Sequence, residues 1–372
     1  LHRSGAQVLR MFTFFNDTRL SYENHFNHIH TLSLNLGVQY LHETTEQDEG
    51  LGYNSATDEL TGVGYGLSSL RSIGGSLGGY KWLNDYFSAD YSLLGKYFLS
   101  FDASVDGSSR FGNQADYGPV VRLGQRNYAV MPSLSGAWLI SSERFMTGAR
   151  WIDMLKLRAS AGRSGNDDIG DFNKGKYYIS QNLLGMEGLV RGGASNDNLQ
   201  WESVTDLDAG IDISAFGDRI SLSADVYRKT TGGMIVYQPA PVASGLPYRI
   251  SNGGGMRTSG WEVSLNARVI DKPHLGWNVG ANIAGYRSRV TRLPGGPLIT
   301  DYTGASILTE VGQAPNLFFG YKTRGVYATA AEAAADGLNT RQADGSYRSF
   351  GAGDMRFVNA DATDKTISES DR

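Results

Sequence analysis

The sequence predicts an all-β protein, part of a large antiparallel outer-membrane β-barrel with long extracellular loops. Three observations carry this expectation: period-two alternation in unusually long segments, a regular exchange of short and long connections, and a composition rich in glycine and tyrosine. Of 372 residues, 48 are Gly, 20 Tyr and 15 Phe, and only 19% are charged. Average chains hold roughly 7% Gly and about 25% charged residues, so the excess favours strands and turns. The 34 Lys and Arg against 38 Asp and Glu leave a net charge of −4, which argues against a nucleic-acid binder working through a basic face. The absence of cysteine excludes disulfides, thiolate zinc sites and thiol nucleophiles. No apolar run is long enough for a membrane-spanning helix, which leaves strands as the only spanning element.

Strands are expected near 12–22, 30–42, 81–93, 96–105, 129–140, 154–164, 205–215, 219–228, 259–270 and 276–290. In the second, Leu32, Leu34, Leu36, Val38 and Tyr40 alternate with Ser33, Asn35, Gly37 and Gln39. In the ninth, Trp261, Val263, Leu265, Ala267 and Val269 alternate with Glu262, Ser264, Asn266 and Arg268. Side chains change face at each strand residue, so every segment has one apolar and one small, polar face. A soluble sandwich would use strands of about five or six residues, whereas a lipid-spanning strand needs about 9–11. The segments have the second length. Their joins are short within pairs, with Gly217-Asp218 expected as a two-residue hairpin turn. Between pairs, at 43–80, 106–128, 165–204, 229–258 and from 291 onward, the joins are long. A membrane barrel sorts its connections this way, with short periplasmic turns and long external loops.

Aromatic residues near the strand ends, Phe14, Phe15, Tyr40, Tyr91, Trp138, Trp261, Trp277 and Tyr286, suit the interfacial girdles of a barrel. The organisation expected is therefore about ten barrel strands over 1–290 and a large extracellular loop region over 291–372. The latter carries a short helix near 329–337, with Thr329 as N-cap, Glu332 completing a capping box and Gly337 ending it. The start at Leu1 and the abrupt end at Arg372 read as a piece of something longer.

Chemical motifs are weak. The stretch Gly170 to Lys176 has the spacing of a phosphate-binding loop, but Tyr177 stands where Ser or Thr should bind Mg²⁺. His25, His28 and His30 gather near a hairpin, without an acidic residue at ligand spacing. His42-Glu43 lacks the second histidine of a zinc-protease helix. Asp354, Asp361, Asp364 and Glu369 resemble a calcium loop only loosely, without alternate ligands or a central glycine. The carboxylates are scattered and no close acid–base pair is marked, so no catalytic residue, metal site, cofactor or enzymatic activity is expected.

One ordered series of motifs is distinctive. It begins at Asp106-Gly107-Ser108-Ser109-Arg110-Phe111-Gly112 and continues with Met131-Pro132-Ser133, Gly136-Ala137-Trp138 and Ser142-Glu143-Arg144-Phe145-Met146. Leu155 to Ser160, Gly162-Arg163-Ser164-Gly165-Asn166, Asn198-Leu199-Gln200-Trp201-Glu202, Tyr227 to Thr231, Phe319 to Lys322 and Gly353 to Phe357 follow. In this order they resemble the SusC/RagA-type TonB-linked outer-membrane transporters of Gram-negative bacteria. The resemblance implies a 22-stranded barrel closed by an N-terminal plug that this stretch lacks, energised through the TonB complex. It implies nutrient uptake with a SusD-like surface lipoprotein and an oligosaccharide or peptide cargo. The family's Asp-Gly run near the end reads Asp361-Ala362-Thr363-Asp364 here, which removes support for an ion there.

Two other readings stand beside this one. The first is a siderophore-type receptor of the same architecture, against which the 106–112 motif speaks. The second is a surface β-rich glycan-binding or adhesin module, which membrane extraction would separate. Substrate-binding residues are unknown, with Tyr237, Tyr248 and Tyr302 the candidates for stacking on cargo.

Overall fold

A computed structural model describes residues 3–112, 120–123, 126–171, 178–183, 186–246, 248–360 and 363–372. It divides into two compact units, Leu1–Pro294 and Gly295–Arg372.

The first unit holds a separate two-stranded hairpin, Tyr178–Leu183 with Met186–Arg191, and one large antiparallel sheet whose ten principal strands follow chain order. They are β1 (Arg3–Phe26), β2 (His30–Tyr53), β3 (Ser72–Leu93), β4 (Tyr97–Ser108) and β5 (Arg126–Leu139). Then come β6 (Ile152–Asn166), β7 (Glu202–Ala215), β8 (Ile220–Pro239), β9 (Tyr248–Lys272) and β10 (Leu275–Arg292). A short strand, Val120–Leu123, also pairs with β5. Every neighbour in sequence is a neighbour in the sheet, so each connection is a hairpin and no crossover is required.

The register keeps the apolar sets aligned. One cross-strand row runs Leu32, Tyr91, Leu99, Gly136, Ala159, Ala209, Val226, Trp261 and Gly285. The next row, on the opposite face, runs Ser33, Asp90, Ser100, Ser135, Ser160, Asp208, Tyr227, Gly260 and Tyr286. A slip of one residue in any pair would exchange the faces from there on. Leu36, Leu99, Leu134, Val226 and Ile283 are all exposed on the apolar side. No second sheet or helix covers them among the described residues, as lipid contact requires.

Several strands are far longer than the alternation predicts. β1 and β2 have 24 residues and β9 has 25. At about 3.3 Å per residue such strands reach roughly 80 Å, well beyond the thickness of a bilayer core. The expected loops 43–80 and 229–258 are therefore mostly hairpin, with only 54–71 and 240–247 left between strands. Alternation stops at His42 because Glu43-Thr44-Thr45-Glu46-Gln47-Asp48-Glu49 is polar on both faces. That pattern suits a strand wetted on both sides, and it hides the strand from a period-two reading.

The turns also differ in detail. The β7–β8 connection is Phe216–Arg219 rather than a two-residue Gly217-Asp218 turn, and Phe216, Gly217 and Asp218 all have positive φ. Asp153 Oδ2 accepts hydrogen bonds from the Gly217 and Asp218 amides at 2.7 and 3.0 Å, tying this turn to β6.

Of the aromatic residues expected in girdles, Phe14, Tyr40, Tyr91, Trp138, Trp261 and Trp277 share the parity of the apolar face. Phe15 and Tyr286 do not: Phe15 pairs with Leu41 and Tyr286 with Gly260, on the polar side. Ring pairs at the short-turn end include Tyr97 on Trp138 at 6.4 Å and Trp151 on Phe216 at 5.6 Å.

The second unit contains small sheets and one helix, α1 (Ala330–Asp336). Thr329 caps it as expected, accepting from the Glu332 amide, and Gly337 ends it in the left-handed region. Glu332 bonds back to the Ala328 amide at 3.0 Å instead of to the N-cap amide. Asp336 accepts from Tyr327, which is almost fully buried, and from Arg356 Nε at 2.8 Å. The Arg356 guanidinium holds the Asp336 carboxyl below the usual carboxylate range. The stretch 317–327 forms two short strands, Leu317–Phe319 and Thr323–Val326.

Tolerance on the large sheet should follow face. Leu222 lies in the apolar set and its neighbour Ser223 in the polar one. Leu222→Arg in the full-length protein is expected to cost about 2–4 kcal/mol if it lies near the bilayer midplane. Ser223→Arg should assemble normally. Heat-resistant gel mobility checks this, and equal tolerance or the reverse order would refute the face assignment.

Candidate functional site

Three of the ordered motifs, 106–112, 162–166 and 198–202, meet at the long-loop end of the sheet. Phe111, Ile169, Leu199 and Ile250 form a buried cluster with Trp201 and Ile235 packed against it. Leu199 is wholly buried, and the Phe111 and Trp201 rings lie 4.9 Å apart. Each residue comes from a different place: after β4, after β6, before β7 and from the extended β8–β9 hairpin. A separate loop could not bury these side chains alone, but four segments together can.

Polar contacts seal the same knot. Arg110 Nε donates to Asp171 Oδ1 at 3.0 Å, and its guanidinium stacks on the Tyr80 ring at 3.7 Å. Asp171 Oδ2 in turn accepts from the Gly79 amide at 2.6 Å. The Gly112 amide donates to the Leu199 carbonyl, and the Gln200 amide to Asn252 Oδ1. Glu202 accepts from Asn166 Nδ2 and from the Ile235 amide. The stretches 106–112, 162–166 and 198–202 thus act together to tie the long connections to one another. Their spacing made them recognisable, but only the fold shows why they occur together.

A second constellation sits on the polar face. Arg158, Gly210, Asp225 and Glu262 are consecutive partners in one row across β6 to β9. Arg158 Nε donates to Asp212 Oδ2 at 2.9 Å and Nη2 to Asp225 Oδ2 at 2.8 Å. Nη2 also donates to Ser223 Oγ at 3.1 Å, and Asp208 lies 3.9 Å from Nη1. To reach Asp225 the guanidinium must cross the intervening strand, and Gly210 leaves the room. A Cβ on Gly210 would stand 2.7 Å from Arg158 Cζ and would collide with Asp225 Oδ1. Tyr86 uses the same device over Gly37, and its hydroxyl donates to Asp17 at 3.1 Å. Sequence reading missed this set, because alternation marks Arg158 and the aspartates only as polar-face residues. A glycine opposite a long side chain is the signal that would have found it, and it needs the register.

The sites expected from sequence are mostly dispersed. Tyr237 and Tyr248 meet edge-on at 5.1 Å near the tip of the β8–β9 hairpin, and both are exposed. Tyr302 ends a short strand of the second unit, Leu298–Tyr302, and its side chain lies outside the described residues. His25 Nδ1 pairs with Thr31 Oγ1 and His30 Nδ1 with Tyr91 Oη, while His28 occupies the turn. His28 therefore does not share a strand face with His30. Asp364 bonds to Asn359 and to the Thr366 amide, while Asp361 lies outside the described residues, as do 172–177 of the glycine-rich loop. No group of three metal-ligating side chains forms among the described residues.

The family model described as TonB dependent receptor-like, beta-barrel matches residues 3–367. The chain belongs to that family. TonB-dependent receptor P3 of Formosa agariphila is 29% identical over 329 residues, 84% of this chain and 31% of that protein. TonB-dependent receptor SusC of Bacteroides thetaiotaomicron is 27% identical over 331 residues, 79% of this chain and 31% of that protein. The chain thus spans about a third of the length of these curated relatives. Among solved structures, the RagAB peptide transporter superposes with a TM-score of 0.73 at 24% identity, over 88% of this chain and 35% of that one. The resemblance drawn from the motifs is borne out, and the sheet is barrel wall of an outer-membrane receptor family. Its apolar face is the lipid face, and its polar face, with Arg158 and the aspartates, lines the lumen.

Two outcomes follow. Phe111→Ala should leave the heat-resistant barrel of the full-length protein intact while opening the long loops, a core loss of about 3–5 kcal/mol confined to the knot. Limited proteolysis of intact cells would read this as new cleavage between residues 106 and 201. Gly210→Ala should displace Arg158 and cost about 1.5–3 kcal/mol, the worth of hydrogen bonds to charged groups. In an Arg158→Met background the same change should cost far less, which denaturant unfolding in vesicles can measure as a double-mutant cycle.

Proposed function

We propose that this chain forms part of the barrel of a TonB-dependent importer that takes up oligosaccharides or peptides with a SusD-like surface lipoprotein. The observation that carries the reading is the knot of Arg110, Phe111, Leu199 and Trp201, which ties the described ends of long loops together at one end of the sheet. Loops held on a rigid scaffold commonly carry binding. Uptake through such a barrel is gating rather than chemistry, and the outer membrane supplies no energy of its own. Coupling to a TonB complex, and a plug to close the lumen, would come from parts of the full-length protein outside this chain. The long-loop end is then extracellular and the short-turn end periplasmic.

Tyr237 and Tyr248 are candidates for cargo contact, because their edge-on pair leaves ring surface open at the pore mouth. The capped helix at 329–337 lies outside the barrel strands and is suited to docking the lipoprotein. Deleting 329–337 from the full-length protein should leave barrel assembly intact and reduce recovery of a SusD-like lipoprotein from detergent extracts. Unchanged recovery would remove the docking role. Deleting the whole gene should abolish growth on at least one oligosaccharide or peptide within a defined panel. Unimpaired growth and uptake across that panel would count against the importer reading itself.

A further inference from the structure

The connection between β5 and β6 is out of proportion to its task. The other connections at this end contain two to four residues, but this one runs from Ile140 to Trp151. A hairpin closes with two to five residues, so the remainder is an added element. It is ordered as two short 3₁₀ turns, Ile140–Ser142 and Arg144–Met146, bound by consecutive backbone hydrogen bonds.

Its placement is fixed by aromatic contacts. Phe145 meets Trp138 edge-on at 6.5 Å, and Trp138 belongs to the apolar, lipid-facing set. Phe145 is nevertheless 69% exposed, and Trp151 and Phe216 are each 55% exposed. The turn therefore presents rings on the lipid side, at the level where the strands end. Its charge is one-sided. Glu143 accepts from Tyr97 Oη at 2.7 Å and Trp138 Nε1 at 3.3 Å and pairs with Lys96, so its charge is already engaged. These donors hold its carboxyl below the usual range. Arg144 and Arg150 are exposed and have no carboxylate partner among the described residues.

We infer that the Ile140–Trp151 turn is a membrane anchor, whose rings enter the interface while Arg144 and Arg150 engage anionic phospholipid headgroups of the adjoining leaflet. Aromatic rings favour the headgroup level, and arginine can keep its stem along apolar surface with its charge at the phosphates. The occupant is lipid rather than protein, because the patch packs its Phe145 on Trp138 of the lipid-facing set. Its two free cations also match an anionic headgroup.

The test uses the full-length protein with a single nitroxide at Thr147→Cys, or at Asn27→Cys in the first short turn as reference. Reconstitution is in phosphatidylethanolamine vesicles with or without phosphatidylglycerol. The label at 147 should be shielded from a water-soluble nickel chelate relative to 27, and more so with phosphatidylglycerol. Phe145→Ser with Trp151→Ser should remove the shielding. Arg144→Gln with Arg150→Gln should remove only the increment due to phosphatidylglycerol. Heat-resistant mobility verifies that each variant is an assembled barrel. Equal nickel access at 147 and 27 in both vesicles overturns the anchor, and shielding indifferent to phosphatidylglycerol overturns the headgroup assignment.

Discussion

Everything in the first unit depends on the unbroken register of the antiparallel ladder. In hydrocarbon each unpaired backbone amide or carbonyl costs several kcal/mol, so spanning strands must satisfy one another completely. Pairing alone would allow many registers. The alternation of apolar and polar side chains selects one, because a one-residue slip places every leucine of a strand in the lumen. The row from Leu32 to Gly285 and its polar neighbour from Ser33 to Tyr286 show the constraint kept over nine strands.

Once the register is set, the polar face becomes a surface on which charges two strands apart can meet. Arg158 reaches Asp225 only because Gly210 stands between them. A guanidinium shared among Asp212, Asp225 and Asp208 keeps several carboxylates together in a wall that water reaches on one side only. The same register brings the loop-bearing ends of β4, β6 and β7 beside the long β8–β9 hairpin. There Phe111 and Leu199 find a common core. The described ends of the loops are joined because Phe111, Ile169, Leu199 and Ile250 share one small interior.

The two ends of the sheet solve different problems. At the long-loop end strands leave the bilayer as extended hairpins and are polar on both sides, as 43–49 shows. At the short-turn end the chain reverses within two to four residues except at 140–151, and aromatic rings gather around Trp138, Trp151 and Phe216. Carboxylates there are used locally: Asp153 accepts from the amides of the β7–β8 turn and Glu143 from the hydroxyl and indole donors beside it.

The sequence by itself determined the fold class, the places of the ten strands and the family, since period-two alternation and short joins are local properties. It determined the capped helix after Thr329 for the same reason. It did not determine where strands ended once both faces were wet, as at His42, because hydrophobic contrast is the only signal and it vanishes there. Nor could it distinguish Phe15 and Tyr286 from the girdle residues, which differ from them only in parity. The Arg158 row, the loop knot and the lipid-side position of Phe145 were decided by tertiary structure alone. Each joins residues tens of positions apart, and such contacts exist only after hairpin pairing has fixed which side chains share a row.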